Sequence, residues 1–450
     1  MIKNLKEIQK VTVRRAKQLR GEIHIPADKS IAHRTMFLNV FTDGEAEITN
    51  YLEGIDTLGT IRCLKSLGVD IVHEYGKRVI IKGIGDAKLQ ESNEILNVGT
   101  SATTMRFLCG LLASQPIYTV VTGVPRTNDR PMKRVIEPLT EMGAHIWGRK
   151  DNTTGPLAIR GGDLKGIQYK SEVSSSEVKT CLLLAGLKSK EGFTSIESKY
   201  PTRDHTERML RAMGHEVISE DNGRIVKIAP LHKPLKPLSM FVPGEISAAV
   251  YWIVVGLVHP DSDITIKDVC INHLRTGLLD VLKKMGGDIE IFERHELSQI
   301  ESIGDIRVRS SRLKGITVEP EYFTRMIDEF PGFALAASLA EGTTVIKGVQ
   351  DLRNKKSNRI ACVVDEFTKL GANVVETEDG MLFEGVECLK GNQCTSHGDH
   401  RLGNSLIISG LVADGETTID DVLPVTSTSY PDFWEQVKKV CNNDVIVNAE

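Results

Sequence analysis

The sequence predicts an α/β protein with two domains, each made of three copies of one repeated unit. Three observations predict this fold: a helix end, an alternating strand and an apolar helix each recur along the chain. Length and composition agree with it. A chain of 450 residues is expected to form two or three domains, and 40% hydrophobic with 26% charged residues is ordinary for a globular protein.

The recurring helix end has Leu or Met before a glycine, and a new strand follows. Glycine here is typical of the residue after a helix end, which takes a left-handed backbone conformation. A sixth, weaker copy has Cys441 where glycine is expected. The copies are LKSLGVDI (64–71), LTEMGAHI (139–146), LRAMGHEV (210–217), LKKMGGDI (282–289), FTKLGANV (367–374) and VKKVCNNDV (437–445).

The recurring strand follows a turn and alternates apolar with polar residues, which indicates a half-buried strand. Its copies are GEAEITN (44–50), GFTSIES (192–198), SDITIKDV (262–269), GTTVIKGV (342–349) and GETTIDDV (415–422).

The recurring apolar helix has hydrophobic residues nearly all round, so it is expected to lie inside a layered structure. Six units of this length are too long for a thin solenoid, which favours three units in each of two domains. The helices are SIAHRTMFLNVF (30–41), TSATTMRFLCGLLAS (100–114), SSSEVKTCLLLAGL (174–187), EISAAVYWIVVGLV (245–258), DEFPGFALAASLA (328–340) and DHRLGNSLIISGLVA (399–413).

Charge and cysteine usage exclude several classes of protein. A net charge of -4 argues against a general nucleic-acid or membrane binder. The eight cysteines are scattered without a CxxC pair, as in reduced cytosolic proteins. MIKNLKEIQK lacks the apolar core of a signal peptide, and the longest apolar run, from Ala248, is too short to span a bilayer. The sequence therefore predicts a soluble, cytoplasmic protein.

The apolar helices begin with unusual residues, such as Asp28-Lys29-Ser30 and Asp399-His400-Arg401. Ser, Thr and Asp are common N-caps, but a cation there opposes the helix dipole unless an anion binds. A single surface cation is more often solvated, whereas recurrence favours a site for phosphate and carboxylate groups. The further cations in this set are Arg34, Arg106, Arg130, Arg203, Lys355 and Arg359.

Other motifs do not indicate a cofactor or a metal. GIGDAK, from Gly83, lacks the third glycine of a dinucleotide-binding loop, and no phosphate-binding P-loop occurs in the sequence. Cys394, His397 and His400 have no fourth zinc ligand nearby, and they adjoin Arg401. The prediction is no metal and no cofactor.

Nine motifs in order resemble the enolpyruvyl transferase family, most closely its 5-enolpyruvylshikimate-3-phosphate (EPSP) synthases. They are PADKSIAHR (26–34), GTSATTMR (99–106), DRPMKRV (129–135), TRDHTERML (202–210), PGEISAA (243–249), RTGLLDVL (275–282), IDEFP (327–331), LRNKKSNRI (352–360) and HGDHRLGNS (397–405). The resemblance implies an inside-out α/β barrel fold with three βαβαββ units per domain. The implied domains are 1–27 with 243–450, and 28–242, with the active site in the cleft between them.

The resemblance also implies a reaction, in which phosphoenolpyruvate gives its enolpyruvyl group to the 5-hydroxyl of shikimate 3-phosphate and phosphate is released. It implies a monomer whose partners are these two small anions, with Lys29, Glu177, Asp328 and Lys355 as the catalytic candidates and Asp328 accepting the hydroxyl proton. The implied phosphoenolpyruvate ligands are Lys29, Ala102, Arg130, Arg359 and Arg401. The implied shikimate 3-phosphate ligands are Lys29, Ser30, Arg34, Ser175, Ser176, Glu177, Arg203, Asp328 and Lys355.

Several positions depart from the family's usual residues. KESDR is usual at 355–359, where this chain reads KKSNR, and Gln, Asn and Gly are usual at Glu177, Thr100 and Ala27. Glu177 and Lys356 could be a compensating exchange of charge. Glyphosate-sensitive members have Gly at the position of Ala102, so we expect a glyphosate-insensitive enzyme.

The sequence leaves three alternatives to this function. The first is an enolpyruvyl transferase that acts on another phosphorylated alcohol in a specialised pathway. A non-catalytic anion-binding protein is a weaker alternative. The relative that uses UDP-N-acetylglucosamine fits less well, because PRTNDRP (125–131) lacks that enzyme's cysteine.

Overall fold

The computed structural model describes residues 9–354, 357–422, 430–441 and 445–449. The chain forms two compact units. Unit 1 comprises Met1–Pro26 and Pro243–Glu450, and unit 2 comprises Ala27–Val242. No helix in the described ranges is long and apolar enough to cross a membrane.

Strands are short and are distributed over the whole chain. They are β1 (Lys10–Arg14), β2 (Leu19–His24), β3 (Glu45–Thr49), β4 (Asp70–Glu74), β5 (Arg78–Lys82), β6 (Leu96–Asn97), β7 (Tyr118–Thr122), β8 (His145–Gly148), β9 (Thr154–Arg160), β10 (Gln168–Lys170), β11 (Thr194–Glu197), β12 (Val217–Glu220), β13 (Ile225–Ile228), β14 (Met240–Phe241), β15 (Ser262–Cys270), β16 (Asp288–Glu293), β17 (Ile303–Arg309), β18 (Thr317–Val318), β19 (Thr343–Ile346), β20 (Asn373–Glu376), β21 (Met381–Glu384), β22 (Gln393–Thr395), β23 (Glu416–Asp420) and β24 (Ile446–Ala449).

Helices alternate with these strands. They are α1 (Lys29–Asn39), α2 (Ile55–Ser66), α3 (Ala102–Leu112), α4 (Pro125–Asn128), α5 (Lys133–Glu141), α6 (Arg149–Asn152), α7 (Ser176–Leu187), α8 (His205–Ala212), α9 (Ile246–Val258), α10 (Gly277–Lys284), α11 (Phe323–Met326), α12 (Phe330–Leu339), α13 (Arg359–Lys369), α14 (His400–Gly410) and α15 (Phe433–Val440).

The strands form six four-stranded sheets, three in each unit. In the sheet ordered β6-β7-β9-β8, β6 and β7 are parallel and the other neighbours are antiparallel. Its chain order is β6, α3, β7, α4, α5, β8, α6, β9, which is one βαβαββ repeat with two additional four-residue helices, α4 and α6. Because β14 pairs with β3 and β2 pairs with β15, two of the repeats take their first strand from a distant part of the chain. The predicted α/β fold of βαβαββ repeats is confirmed.

The predicted apolar helices form the cores. In unit 1, α9, α12 and α14 pack against one another, and every residue of α9 except the last is buried. In unit 2, α3 contacts both α1 and α7. The approach of α3 to α7 is close, since a Cβ on Gly110 would overlap the carbonyl oxygen of Cys181.

The recurring glycines lie in the backbone conformation that their helix ends require. Gly68, Gly143, Gly214, Gly286 and Gly371 all have positive φ, between 83° and 109°. Cys441, in the weaker sixth copy, has φ of -101°. Cys441 is itself the C-cap of α15, whereas in α2 the cap is Leu67 and the glycine follows it; the residue after Cys441 lies outside the described ranges.

All five quoted strand repeats lie in the second strand of their sheets, as β3, β11, β15, β19 and β23. The corresponding strand of the remaining repeat is β7. Its sequence, YTVVT, lacks the preceding turn pattern, and the sequence analysis therefore missed it.

Candidate functional site

The start of α1 is held by a carboxylate on α2. Lys29 Nζ lies 3.1 Å from Asp56 Oδ2, and the Thr100 hydroxyl donates to Asp56 Oδ1 at 2.6 Å. Burial raises the pKa of Asp56, but the Lys29 ammonium and the Thr100 hydroxyl outweigh it and lower the pKa to about 2. An ionised Asp56 therefore ties the beginnings of α1 and α3 together.

Arg34 is a buried guanidinium, 1% exposed, that bonds to neutral oxygens. It donates to the Thr206 and Thr180 hydroxyls, at 3.0 Å each, and to the carbonyls of Ser30 and Ser176 at 2.9 and 3.3 Å. Burial, and next the charge of Arg203, lower its pKa to about 10. Arg34 thus joins α1, α7 and α8 and leaves at most one N–H for a ligand.

The hydroxyls predicted to bind the acceptor lie at two helix starts near Arg34. Arg203 Nη1 donates to Ser30 Oγ at 3.1 Å, in the first turn of α1. Ser175 is the N-cap of α7, and both it and Ser176 are half-buried. Unit 2 therefore brings Ser30, Ser176 and Arg203 together around one guanidinium, at two helix starts of the kind that suits an anion.

Glu177, in the first turn of α7, binds α3. Thr103 donates to its Oε1 at 2.7 Å, and the Arg106 guanidinium donates to its Oε2. Burial raises the pKa of Glu177, but Arg106 and Thr103 outweigh burial and hold it well below its ordinary value. A carboxylate held this way can accept hydrogen bonds and is unsuited to donating a proton.

Arg130 and Ala102 lie beside this ion pair. Burial, and next the charge of Arg106, lower the pKa of Arg130, whereas Glu177 raises it. Arg106 also donates to the carbonyl of Pro131, the residue after Arg130, at 3.3 Å. Ala102 is the first residue of α3 and is half-buried.

Unit 1 carries a second cluster, centred on Arg359 at the start of α13. Its Nε donates to Asp399 Oδ2 at 2.9 Å, and its Nη1 lies 3.4 Å from Asp328 Oδ1. Burial lowers the pKa of Arg359, but Asp399 and Asp328 outweigh burial and raise it. Asp399 is fully buried and caps α14 by accepting from the Arg401 amide at 3.0 Å.

Arg401 shares these carboxylates and adds another. Its Nη2 donates to Glu245 Oε1 at 3.1 Å, and its Nε lies 3.8 Å from Asp328 Oδ1. Burial lowers its pKa, but Asp328 and Glu245 outweigh burial and raise it well above its ordinary value. Arg359 and Arg401 therefore both form ion pairs with the same oxygen of the predicted proton acceptor, Asp328.

Part of the LRNKKSNRI segment has a structural role on the surface. Arg353 pairs with Glu376 and donates to the carbonyls of Thr377 and Glu378 at 3.0 and 3.2 Å. Lys355 and Lys356 lie outside the described residues. The ligand role of Lys355 and the pairing of Lys356 with Glu177 therefore stay predictions.

The structure groups His397 with two carboxylates, and not with Cys394 and His400 as considered from the sequence. In the described ranges, ligand atoms of Asp365, Glu366 and His397 lie within 4.8 Å of one another. The Lys369 ammonium already bridges the two carboxylates, at 2.9 Å from Asp365 and 2.8 Å from Glu366. Its positive charge occupies the place that a metal ion would take.

Sequence reasoning missed the carboxylates that hold the cations. Asp56, Glu245 and Asp399 all occur at helix starts, where an acidic residue reads as an ordinary cap. Asp56 lies 27 residues from Lys29, and Glu245 lies 156 residues from Arg401. Two of these carboxylates lie inside family motifs, Glu245 in PGEISAA and Asp399 in HGDHR, and this was the only sequence signal for a role in the site.

Comparison with known proteins decides the family. The family model described as EPSP synthase (3-phosphoshikimate 1-carboxyvinyltransferase) matches residues 13–437. The chain belongs to the EPSP synthase family. Among curated EPSP synthases, a Bacillus cereus protein named 3-phosphoshikimate 1-carboxyvinyltransferase is 45% identical over 422 residues, which are 94% of this chain and 97% of the relative. One from Herpetosiphon aurantiacus, with the same name, is 44% identical and covers 96% of this chain and 99% of its own length.

Solved EPSP synthases share the fold. An EPSP synthase structure from Acinetobacter baumannii matches with a TM-score of 0.87 and 36% identity, covering 96% of this chain and 98% of its own. A second structure from the same organism has the same TM-score with 35% identity and covers 98% and 99% of the two chains. The resemblance expected from the nine motifs is confirmed.

Proposed function

We infer that this chain is a 3-phosphoshikimate 1-carboxyvinyltransferase, which moves the enolpyruvyl group of phosphoenolpyruvate to the 5-hydroxyl of shikimate 3-phosphate. The family match over residues 13–437 and relatives that carry this name over nearly their whole length support the activity. The alternative acceptor, another phosphorylated alcohol, is not favoured by these comparisons.

The observation that carries the chemistry is that two arginines form ion pairs with one oxygen of Asp328. The same oxygen, Oδ1, lies 3.4 Å from Arg359 Nη1 and 3.8 Å from Arg401 Nε. A carboxylate so placed can take a proton from a hydroxyl, while the guanidinium forks suit the carboxylate and phosphate of phosphoenolpyruvate. Simple anion binding needs no carboxylate at this position.

The reaction balances as an addition followed by an elimination. The 5-hydroxyl oxygen bonds to C2 of phosphoenolpyruvate and gives its proton to Asp328, while an acidic group of the site gives a proton to C3. The tetrahedral product then returns a C3 proton to that group and the C2–O bond to the phosphate breaks, which restores the C2–C3 double bond. The proton held by Asp328 leaves with the phosphate. No redox partner or cofactor takes part in this scheme.

The unit 2 cluster is proposed to hold the acceptor and the phosphoryl end of phosphoenolpyruvate. Ser30, Ser175, Ser176 and Arg203 supply hydroxyl, amide and guanidinium donors at helix starts. The proposed phosphoenolpyruvate ligands from this unit are Lys29, Arg130 and Ala102. Ala102 is also the position that is Gly in glyphosate-sensitive members. Glu177, an ionised acceptor, is proposed to bind a ring hydroxyl of the acceptor and not to act as an acid.

The family resemblance requires ligands from both units to meet one pair of substrates, and we adopt that arrangement as part of the proposal. The monomeric state, the cytoplasmic location and insensitivity to glyphosate also remain predictions. Sedimentation of the purified chain tests the first of these.

Phosphate release tests the proposed function. The purified protein is supplied with phosphoenolpyruvate and, in separate reactions, shikimate 3-phosphate, unphosphorylated shikimate and a panel of other phosphorylated alcohols. We expect release with shikimate 3-phosphate and little with shikimate, the matched control that lacks only the phosphate. No release with shikimate 3-phosphate, or faster release with another phosphorylated alcohol, would overturn the assignment.

A further inference from the structure

A buried carboxylate of unit 1 lies two helical turns from Arg359 and has no role in the reaction described above. Glu366 belongs to α13, and its side chain is fully buried. Seven residues separate it from Arg359 along the helix, which corresponds to about 10 Å. It is therefore too far from Arg359 to share that residue's ligands directly.

Glu366 binds the segment that leads into α14. Its Oε2 accepts the amide of Thr395 at 3.0 Å, and its Oε1 accepts His397 Nε2 at 2.8 Å. The Lys369 ammonium also donates to Oε1 at 2.8 Å, and the Cys394 side chain is hydrogen-bonded to the same carboxylate. A buried charge with this many donors is satisfied where it lies.

The segment held by Glu366 has an unfavourable backbone conformation. His397 and Gly398 both have positive φ, of 51° and 68°. Glycine adopts this region freely, but a histidine does so at a cost that its surroundings must offset. The bond from His397 to Glu366 is a side-chain contact that opposes relaxation of this residue to negative φ.

The strained residues directly precede Asp399, on which the proposed active site depends. Asp399 accepts from Arg359 Nε at 2.9 Å and from the Arg401 amide at 3.0 Å. Helix α13 therefore contacts the 395–399 segment at both of its ends, through Arg359 at the start and Glu366 near the finish. The segment between these contacts sets where Asp399 lies relative to the two arginines.

We propose that Glu366 is a positioning residue, which acts through His397 to fix Asp399 and thereby the spacing of Arg359 and Arg401. This inference rests on the proposed function, because it assumes that those arginines bind phosphoenolpyruvate. Glu366 does not touch the substrate. Its effect is transmitted by the backbone of 395–399.

The substitution Glu366→Gln tests this role, because it removes the charge with almost no change of side-chain volume. We expect the KM for phosphoenolpyruvate to rise about ten- to a hundredfold, since a displacement of about 1 Å at a remote position can have such an effect. The KM for the acceptor, whose proposed ligands lie mainly in unit 2, should change by less than about threefold. His397→Asn should reproduce the result, because Asn tolerates the left-handed region but is too short to reach Glu366.

Asp365→Asn is the matched control. Asp365 adjoins Glu366 and binds the same Lys369, and its carboxylate lies within 4.8 Å of the His397 ring. Its side chain is 57% exposed, however, and it makes none of the hydrogen bonds to the 395–399 segment described above. Its kinetic constants should equal those of the wild type. Hydrogen exchange at the Thr395 amide should accelerate in Glu366→Gln and remain unchanged in Asp365→Asn.

Three outcomes would overturn the inference. One is an unchanged KM for phosphoenolpyruvate in both Glu366→Gln and His397→Asn. Another is a lower melting temperature with unchanged kinetic constants, which is the result expected of a merely structural residue. The third is unchanged exchange at Thr395. If the wild type itself releases no phosphate with shikimate 3-phosphate, the proposed function fails, and the exchange measurement still decides whether Glu366 holds this segment.

Discussion

Arg34 in α1 of unit 2 and Arg359 at the start of α13 in unit 1 are both buried arginines, yet their surroundings are opposite. Arg34 donates only to hydroxyl and carbonyl oxygens in the hydrogen bonds described above, and its pKa falls to about 10. Arg359 donates to two carboxylates, and its pKa rises. The first charge has no ionic partner among its hydrogen-bond acceptors, whereas the second has two.

This difference extends to the clusters around them. In unit 2, six cations accompany four carboxylates: Lys29, Arg34, Arg106, Arg130, Lys179 and Arg203 with Asp28, Asp56, Glu177 and Glu207. In unit 1, Arg359 and Arg401 accompany Asp328, Asp399 and Glu245. Unit 2 therefore offers excess positive charge to a phosphorylated ligand, while unit 1 fixes its arginines precisely and keeps a carboxylate beside them.

The largest expected effect is on stability. Arg359→Met should lower the free energy of unfolding by about 3–5 kcal/mol, because it leaves the fully buried Asp399 without its guanidinium. Arg34→Met strands no buried carboxylate among its hydrogen-bond partners, and it should cost roughly 1–3 kcal/mol through lost hydrogen bonds. Urea unfolding of both variants measures the difference.

Two further variants check the cause of that effect. Adding Asp399→Asn to Arg359→Met should restore part of the lost stability, since the stranded charge is then gone. Arg309→Met, which breaks exposed ion pairs with Asp288 and Glu290, should cost less than about 1 kcal/mol. Equal costs for Arg359→Met and Arg34→Met would remove the contrast between the two arginines.

The next effect concerns phosphoenolpyruvate. Replacing Arg130, Arg359 or Arg401 by Ala should each lower kcat/KM for this substrate by more than tenfold, since losing a buried charge-assisted contact costs about 2–5 kcal/mol. Arg353→Ala is the matched control from the same cationic segment, because Arg353 pairs with Glu376 at the surface. Steady-state kinetics below the melting temperature of each variant gives the comparison.

A change below about tenfold at any of the three arginines would remove that residue from the proposed binding set. If Arg353→Ala lowers kcat/KM as much as Arg359→Ala does, the cause would be a general effect of positive charge. In that case the contacts in unit 1 would not explain the selectivity of the site.

Much of the fold follows from the sequence because its repeats carry it. The apolar helices, the helix ends followed by glycine and the alternating strands all recur, and each local pattern agrees with the sheet that it adjoins. The strand β7 was not predicted, because its sequence YTVVT lacks the turn pattern that precedes the other copies. Cys441 replaces a glycine, and the backbone there keeps a negative φ.

The site was less predictable because its ion pairs join distant residues. The cations were found from their unusual place at helix starts and from the family motifs. Their partners Asp56, Glu245 and Asp399 look like ordinary caps in the sequence, and only the folded chain brings Asp399 to Arg359, 40 residues away. Burial of Arg34 is equally invisible to motif reading, since a basic residue on a helix is usually exposed.

A smaller effect concerns acid stability, and it tests the ion pair at the start of α1. The folded pKa of Asp56 is about 2, below its ordinary 3.8, so its contribution to stability is present above pH 4 and disappears as the pH falls through 2. The shift corresponds to about 2 kcal/mol. Asp56→Asn should therefore be less stable than the wild type at pH 7 by roughly that amount, and the two should converge near pH 2.

Asp70→Asn, at an exposed position of β4 in the same unit, is the control and should leave the free energy of unfolding unchanged at every pH tested. Chemical unfolding at pH 7, 4 and 2.5 gives the three comparisons. A difference between Asp56→Asn and the wild type that stays constant from pH 7 to 2.5 would rule out the ionised pair with Lys29 as its source.

An effect of similar size concerns glyphosate and tests the start of α3 in unit 2. The family resemblance places this inhibitor in the phosphoenolpyruvate site, with Gly at the position of Ala102 in sensitive members. Ala102 begins α3 and is half-buried, so its methyl group is available to narrow the site. Glyphosate is longer than phosphoenolpyruvate, and overpacking by one methyl group costs about 1–3 kcal/mol.

We therefore expect weak inhibition of the native enzyme, with the inhibition constant falling roughly ten- to a hundredfold in Ala102→Gly while the KM for phosphoenolpyruvate changes little. Glycine also weakens a helix by up to about 1 kcal/mol, so Ala212→Gly, at the exposed end of α8, serves as the control for helix propensity. It should lower stability without altering inhibition. Strong inhibition of the native enzyme, or the same inhibition constant in Ala102→Gly, would show that the methyl group does not exclude the inhibitor.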